Sequence, residues 1–229
     1  MLTPARRRGF ELLDDPAVDP AIRERSHRDI TIANTLLGGA RAVLAEFRSL
    51  LPALGTSASL LDVGTGLGDI PQKAHALARR HGVSLRTFGF DGAESLARSA
   101  ARTLDAGICG DARRLPFADG SVDIVICSQV LHHFEDDDIT GILGELDRVA
   151  RVAVIVGDLR RSWLAAAGFW LVAWPFGFHP VTRHDGTTSV LRGFTARELA
   201  DSVARSTSHT ARVRRHLGYR LTATWTPAS

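Results

Sequence analysis

Three glycines spaced two apart, Gly64, Gly66 and Gly68, sit in LLDVGTGLGD, residues 60–69. An apolar run precedes them and a helix-like stretch follows. Without side chains at these positions, backbone N–H groups and the start of the next helix can come close to a ligand. Carboxylates recur around this turn. Asp62 lies just before the glycines, Asp69 just after, Asp91 about twenty residues on in GFDG, and Asp111 in GDARRLPF. A carboxylate at the tip of a second strand can accept hydrogen bonds from both ribose hydroxyls. One at the tip of a third strand can accept from an exocyclic adenine amine. The pattern therefore points to an adenosine-bearing ligand.

Three such ligands are separable by charge and spacing. A triphosphate loop needs Lys and Ser/Thr directly after its last glycine, whereas Asp69 and Ile70 stand there. A dinucleotide turn prefers GxGxxG, and two flanking carboxylates would repel a pyrophosphate. The only tyrosine is Tyr219, so no Tyr-x-x-x-Lys pair exists for nicotinamide chemistry. A turn with acids on both sides suits a ligand with a cationic end, such as a sulfonium bearing an α-amino group.

Histidines supply the second kind of chemistry. His132 and His133 follow the apolar run SVDIVICS, and His184 lies in RHDG beside Arg183 and Asp185. A hydroxyl nucleophile with a pKa of about 10 benefits from a base, and imidazole is the side chain suited to that near neutral pH. His133 and His184 are the candidate bases. The alternatives are a packing role for the His132–His133 pair and a solvated turn for His184.

These residues need elements to hold them. SLLDV (59–63), SLRTFGF (84–90), 106–109, SVDIVICS (121–128) and RVAVIVGD (151–158) read as strands. Helices are expected at 69–81, 93–103 and 136–149, the last with an apolar stripe of Ile139, Ile142, Leu143, Leu146 and Val149. Strands alternating with helices predict a parallel, doubly wound α/β sheet. Residues 210–217 and 219–226, joined at Gly218, predict a hairpin that makes the last strand antiparallel. Upstream, Asp19-Pro20 starts a helix ending at Gly38-Gly39, and a second helix runs from about Ala40 to Leu51. Residues 1–54 are thus expected to form a helical cap and residues 55–229 the main domain. An apolar helical insertion falls at about 160–193, in which residues 179–193 read as a loop. Thr195 and Glu198 form a capping box for a helix over 195–204.

The bulk properties narrow the partners. The 229 residues carry a net charge of +3, with Arg6, Arg7 and Arg8 the only basic run. That balance argues against a nucleic-acid partner. The two cysteines, Cys109 and Cys127, both lie in apolar runs, which predicts buried thiols, a reducing cytoplasm and no metal site. The segment Trp163 to Phe178 holds three of the four tryptophans but is too short to span a bilayer comfortably. It reads as a buried helix, as the wall of a pocket for a planar apolar molecule, or as core or a dimer contact. A monomer or a homodimer fits, and membrane contact is not expected.

DVGTGLGD, GFD and GDARRLPFADGSVDIVICSQVLHHFED, in this order and spacing, resemble the class I S-adenosylmethionine-dependent methyltransferases. The nearest type is the ubiquinone/menaquinone-biosynthesis-like small-molecule group. The resemblance is close over about Ser57 to Val156. It implies a Rossmann-like seven-stranded sheet and S-adenosylmethionine as cofactor. Gly64, Thr65 and Gly66 would approach its amino-acid portion, with Asp62 orienting the loop or meeting the amine indirectly. Asp91 and Gly92 would hold the ribose, Asp111 and Ala112 the adenine, and Ser128 and Gln129 the methionine end. Arg41 or Asn34 could meet the cofactor's carboxylate. HRDITIANTLLGGAR and GDLRR with RHDGTTSVLRGFTARELA resemble a bacterial subgroup linked with polyketide and phenolic products, from which Gly157 before Asp158 departs. The implied acceptor is a small, apolar or aromatic molecule (a phenol, polyketide or quinone precursor) methylated on oxygen. C- or N-methylation, or a non-catalytic cofactor-binding partner, are the alternatives.

Overall fold

The computed structural model describes residues 3–7, 9–15 and 17–227, and the side chains of Asp14, Pro20 and His27 are outside that description. Arg8 of the basic run falls outside it as well. In chain order the elements are α1 (Pro20–Leu36), α2 (Gly39–Leu50), β1 (Ser57–Val63), α3 (Asp69–Arg80), β2 (Ser84–Asp91), α4 (Glu94–Ala100), β3 (Ala106–Cys109) and β4 (Val122–Ser128). There follow α5 (Asp136–Val149), β5 (Ala150–Leu159), α6 (Trp163–Ala173), α7 (Pro180–Arg192), α8 (Ala196–Thr207), β6 (Arg212–His216) and β7 (Arg220–Trp225).

The seven strands form one sheet in the order β3-β2-β1-β4-β5-β7-β6. Pairing is parallel from β3 to β5, and β7 runs antiparallel to both β5 and β6. Strand order reverses between β1 and β4, the switch point at which ligands of open α/β sheets bind. The strands are apolar on both faces because helices cover both. Leu60, Ile124, Ile126 and Ile155 pack with Val43, Phe47, Ala74 and Ala78 of α2 and α3. Their sequence neighbours Leu61, Val125 and Val154 point the other way, as a two-residue period requires, and meet Ile142, Leu146, Leu199 and Val203 of α5 and α8.

α2 packs directly on the sheet. Its buried Glu46 receives Arg212 Nη2 at 2.9 Å and the Thr222 hydroxyl at 3.2 Å, tying the helix to the β6–β7 hairpin. The capping box at Thr195 and Glu198 forms.

Two expectations are corrected. Residues 180–192 are helical, not a loop, so His184 sits on α7. No apolar stripe announces this helix. It is held instead by its first turn, where the His179 side chain accepts from Val181 N with Pro180 following, and by polar anchors. Asp29 accepts from His179 N and Thr182 Oγ1, while Asp185 accepts from Leu12 N and Leu13 N. Cys109 is exposed rather than buried, because it ends the edge strand β3; Cys127, on central β4, is buried. Among the described residues no helix is long and apolar enough to cross a membrane.

The two faces of α2 should respond oppositely to truncation. Phe47 has no solvent exposure, so Phe47→Ala should cost about 3–5 kcal/mol. Arg41 is exposed, and Arg41→Ala should change stability by less than about 0.5 kcal/mol. Urea denaturation of the two variants checks both.

Candidate active site

A cavity of about 650 Å³ opens beyond the tips of β1, β2, β3 and β4. Ten predicted residues line it: Asp62, Gly64, Thr65, Gly66, Asp91, Gly92, Asp111, Ala112, Ser128 and Gln129. The turn after β1 is pinned from β2, because the Phe90 carbonyl accepts from Gly64 N at 2.8 Å and from Thr65 N at 3.0 Å. Gly64 and Gly66 both have positive φ. A Cβ at Gly64 would lie 2.1 Å from Val130, so the turn packs closely against β4's extension; at Gly66 the same position faces open space. Asp91 accepts from Gly66 N and Ala93 N, each at 2.9 Å, which fixes its carboxylate at the cavity wall. Asp111 is half-exposed, and its hydrogen bonds to Arg113 hold it below the usual carboxylate range.

Electrostatically the cavity favours a cation at its inner end. Asp62 is 1 % exposed, and burial pushes its carboxyl up to about 8, with the charges of Asp69 and Asp91 adding to the rise. Asp62 Oδ1 and Thr65 Oγ1 are buried next to each other and have no other hydrogen-bond partner among the described residues, so the pair retains unused polar capacity that a ligand can meet. A ligand with an ammonium and a sulfonium group, and with ribose hydroxyls for Asp91, fits this donor and acceptor set.

A second cavity, of about 540 Å³, adjoins the first; Ile30, Asn34, Leu96, Gln129 and His133 line both. Its walls come from α1, α6, α7 and the β6–β7 turn. Phe169 is the aromatic side chain of α6 that lines it. Trp163, Trp170, Trp174 and Phe176, expected in a pocket or core, are instead 41–55 % exposed on the outside of the segment.

The histidines separate here. His132 and His133 form a 3₁₀ turn after β4, and both line the second cavity. His132 is buried, and its Nδ1 lies 2.7 Å from Asp158 Oδ1, at the tip of β5. Burial alone would raise the Asp158 carboxyl. The facing imidazole and the hydrogen bonds from His132 Nδ1 and Leu159 N outweigh it and hold the group below its ordinary value. His133 Nδ1 lies 3.5 Å from the buried Glu11, which also receives Ser189 Oγ and Arg192 Nη1. Donor atoms of Glu11, His132 and His133 fall within 4.8 Å of one another, with the Arg192 guanidinium 3.0 Å from Glu11 adding positive charge. His184, by contrast, points its ring to Asp185 at 2.8 Å and lines neither cavity. Arg41 lines neither as well, whereas Asn34 lines both.

Three residues escaped the sequence reading. Asp158 carried a legible signal, an acid directly after the apolar run VAVIVG of its strand. Glu11 carried none, since it reaches the site from an irregular N-terminal segment. Arg220 reads as an ordinary strand residue.

Comparison with known proteins agrees with this geometry. The family described as a methyltransferase domain matches residues 61–155. No curated protein matches the chain. Among solved structures, a SAM-dependent methyltransferase from Aquifex aeolicus is 18 % identical, with a TM-score of 0.55 over 82 % of this chain and 89 % of that one. Magnesium protoporphyrin IX methyltransferase from Synechocystis PCC 6803, solved with bound SAM, is 11 % identical, with a TM-score of 0.56 over 95 % and 88 % of the two chains.

Asp62 generates a pH prediction. Between its unfolded value of 3.8 and about 8, the folded chain holds a proton that the unfolded chain releases. Its contribution to the stability of the ligand-free protein therefore falls as pH rises through that window. Asp62→Asn should remove that dependence, so the variant's stability relative to wild type should grow from pH 5 to pH 8.5 in parallel urea titrations. A constant difference would contradict it.

Residues 61–155 thus match a methyltransferase domain family, within a seven-stranded sheet of the Rossmann-like methyltransferase fold.

Proposed function

We propose that the protein methylates an oxygen of a small, largely apolar aromatic acceptor held in the 540 Å³ cavity. The observation that carries this reading is the shared wall: Gln129 and His133 line both cavities, so a methyl donor in one and an acceptor in the other would meet there. On the donor side, Gly64, Thr65 and Gly66 face the amino-acid end, with the buried Asp62 carboxyl nearby, which an ammonium placed beside it would draw into its charged form. Asp91 and Gly92 take the ribose, Asp111 and Ala112 the adenine, and Ser128 and Gln129 the methionine end. S-adenosylmethionine bound there supplies a methyl group on a positively charged sulfur. The chain's own work is to hold the acceptor oxygen in line with that methyl and to exclude water.

The acceptor's proton is best assigned to His132. Its Nδ1–H donates to Asp158, which leaves Nε2 as the basic nitrogen and fixes the ring's orientation. Asp158 also favours the imidazolium that forms when the proton arrives. The His133 ring, tilted by 35° at a centroid distance of 4.2 Å from the His132 ring, packs against it from the cofactor side. The apolar residues Leu37, Phe169 and Val172 suit an aromatic body.

Incubation with S-adenosylmethionine and a panel of phenols, read by mass spectrometry, should show a gain of one methyl group. His132→Ala should lower turnover by about two to four decades while S-adenosylhomocysteine binding persists. His184→Ala should leave turnover near wild type. Unchanged turnover in His132→Ala at neutral pH would reject the base.

A further inference from the structure

The acceptor cavity contains a charge that the methyl-transfer reading leaves unused. Arg220, the first residue of β7, lines this cavity and not the cofactor cavity, and is 5 % exposed. Among the described residues its Nε has no partner, and Nη1 reaches the Gly218 carbonyl at a long 3.3 Å. Burial pulls the guanidinium down to about 10, which still leaves it charged at neutral pH. The acid that acts on it is Asp158, already engaged by His132 and by Leu159 N. The other acids lining the cavity are also occupied: Glu11 by Arg192 and Ser189, and Asp185 by Leu12 N, Leu13 N and His184. Arg23, the remaining lining arginine, donates to the carbonyls of Leu13 and Asp15.

The neighbours of Arg220 are polar. A Cβ at Gly39 would come within 2.9 Å of Gln129 Nε2, 3.4 Å of Arg220 Nε and 3.4 Å of Asn34 Oδ1. The missing side chain at the start of α2 thus lets Gln129 and Arg220, which both line the cavity, pack close to the positive end of a twelve-residue helix. Backbone strain collects at the same place. Gln129 and Tyr219 are non-glycine residues with φ of 59° and 56°, and both line the cavity.

We propose that Arg220 anchors a carboxylate on the acceptor, so that the substrate is an aromatic or otherwise apolar acid. The carboxylate meets Arg220 with Gln129 beside it, and the apolar body lies against Leu37, Phe169 and Val172. The hydroxyl to be methylated is directed to His132. This rests on the reading of the cavity as the acceptor site of a methyltransferase.

The test uses the full-length protein saturated with S-adenosylhomocysteine and titrated with 3-hydroxy-2-naphthoate or its uncharged carboxamide. A charge-assisted contact predicts that the naphthoate binds about 10–100-fold more tightly than the amide. In Arg220→Met that preference should fall to within about twofold, in Arg220→Lys part of it should return, and S-adenosylhomocysteine affinity should hold in both. Equal binding of naphthoate and amide by the wild type, or binding of neither, overturns the anchor, and this comparison stands even if the variants fail to fold. Loss of S-adenosylhomocysteine affinity in Arg220→Met with the preference intact would move the arginine to the cofactor's carboxylate and overturn it too. A wild type that takes up no S-adenosylhomocysteine would instead bring down the methyltransferase reading, and the anchor with it.

Discussion

The wall of the second cavity is organised around one buried negative charge. Asp158 is 1 % exposed at the end of an apolar strand, where an isolated carboxylate would cost several kcal/mol. The surroundings offset that cost with the His132 ring, the backbone N–H groups of His132 and Leu159, and the charge of Arg220 nearby. Each of these partners is thereby fixed. His132 cannot turn without stranding the carboxylate, and Arg220 has reason to stay inside the protein although its own Nε is unpaired. The 3₁₀ turn after β4 and the hairpin before β7 are held to the tip of β5 by the same group.

The first cavity follows a different logic, in which its wall is fixed mainly by backbone hydrogen bonds. β1 and β2 are in register, and the Phe90 carbonyl accepts from the first two residues of the glycine turn. Asp91, the next residue, reaches across to Gly66 N. The turn and the Asp91 carboxylate are therefore one hydrogen-bonded unit, set by strand pairing rather than by side-chain packing. This explains why a short motif suffices to specify it: the glycines permit the conformation, and the register of two parallel strands delivers the acid to the right place.

That difference decides how much could be read from the sequence. The alternating strands and helices of the sheet rest on periodicity, and the ten residues that line the first cavity rest on motifs local to strand tips, so the sequence groups them. The second cavity draws on side chains distant in sequence. Glu11 meets Arg192 and Ser189 across about 180 positions, and Arg220 meets Gln129 and Gly39 only through the folded sheet. α7 shows no apolar period because polar anchors hold it, so it read as a loop, and His184 looked better placed than it is. The aromatic run of α6 signalled burial by composition, yet a helix apolar on every side gives no clue to which face turns inward; Phe169 does, and Trp170 and Trp174 do not.

The two halves differ in what they allow to vary. Changes at Gly64 or Asp91 disturb the turn that the β1–β2 register sets, so the wall of the first cavity is constrained by the fold. The walls of the second cavity come from α1, α6, α7 and the β6–β7 turn, which pack at the margin of the sheet. Ala33 and Leu37 of the first meet Phe169 and Ala173 of the second in a small cluster of their own, separate from the two main cores. Side chains there can change size without disturbing the sheet, while Asp158, His132 and Arg220 stay tied to it. The titratable groups of the second cavity are thus anchored to the sheet, and the cavity's shape is set by elements packed at the sheet's margin.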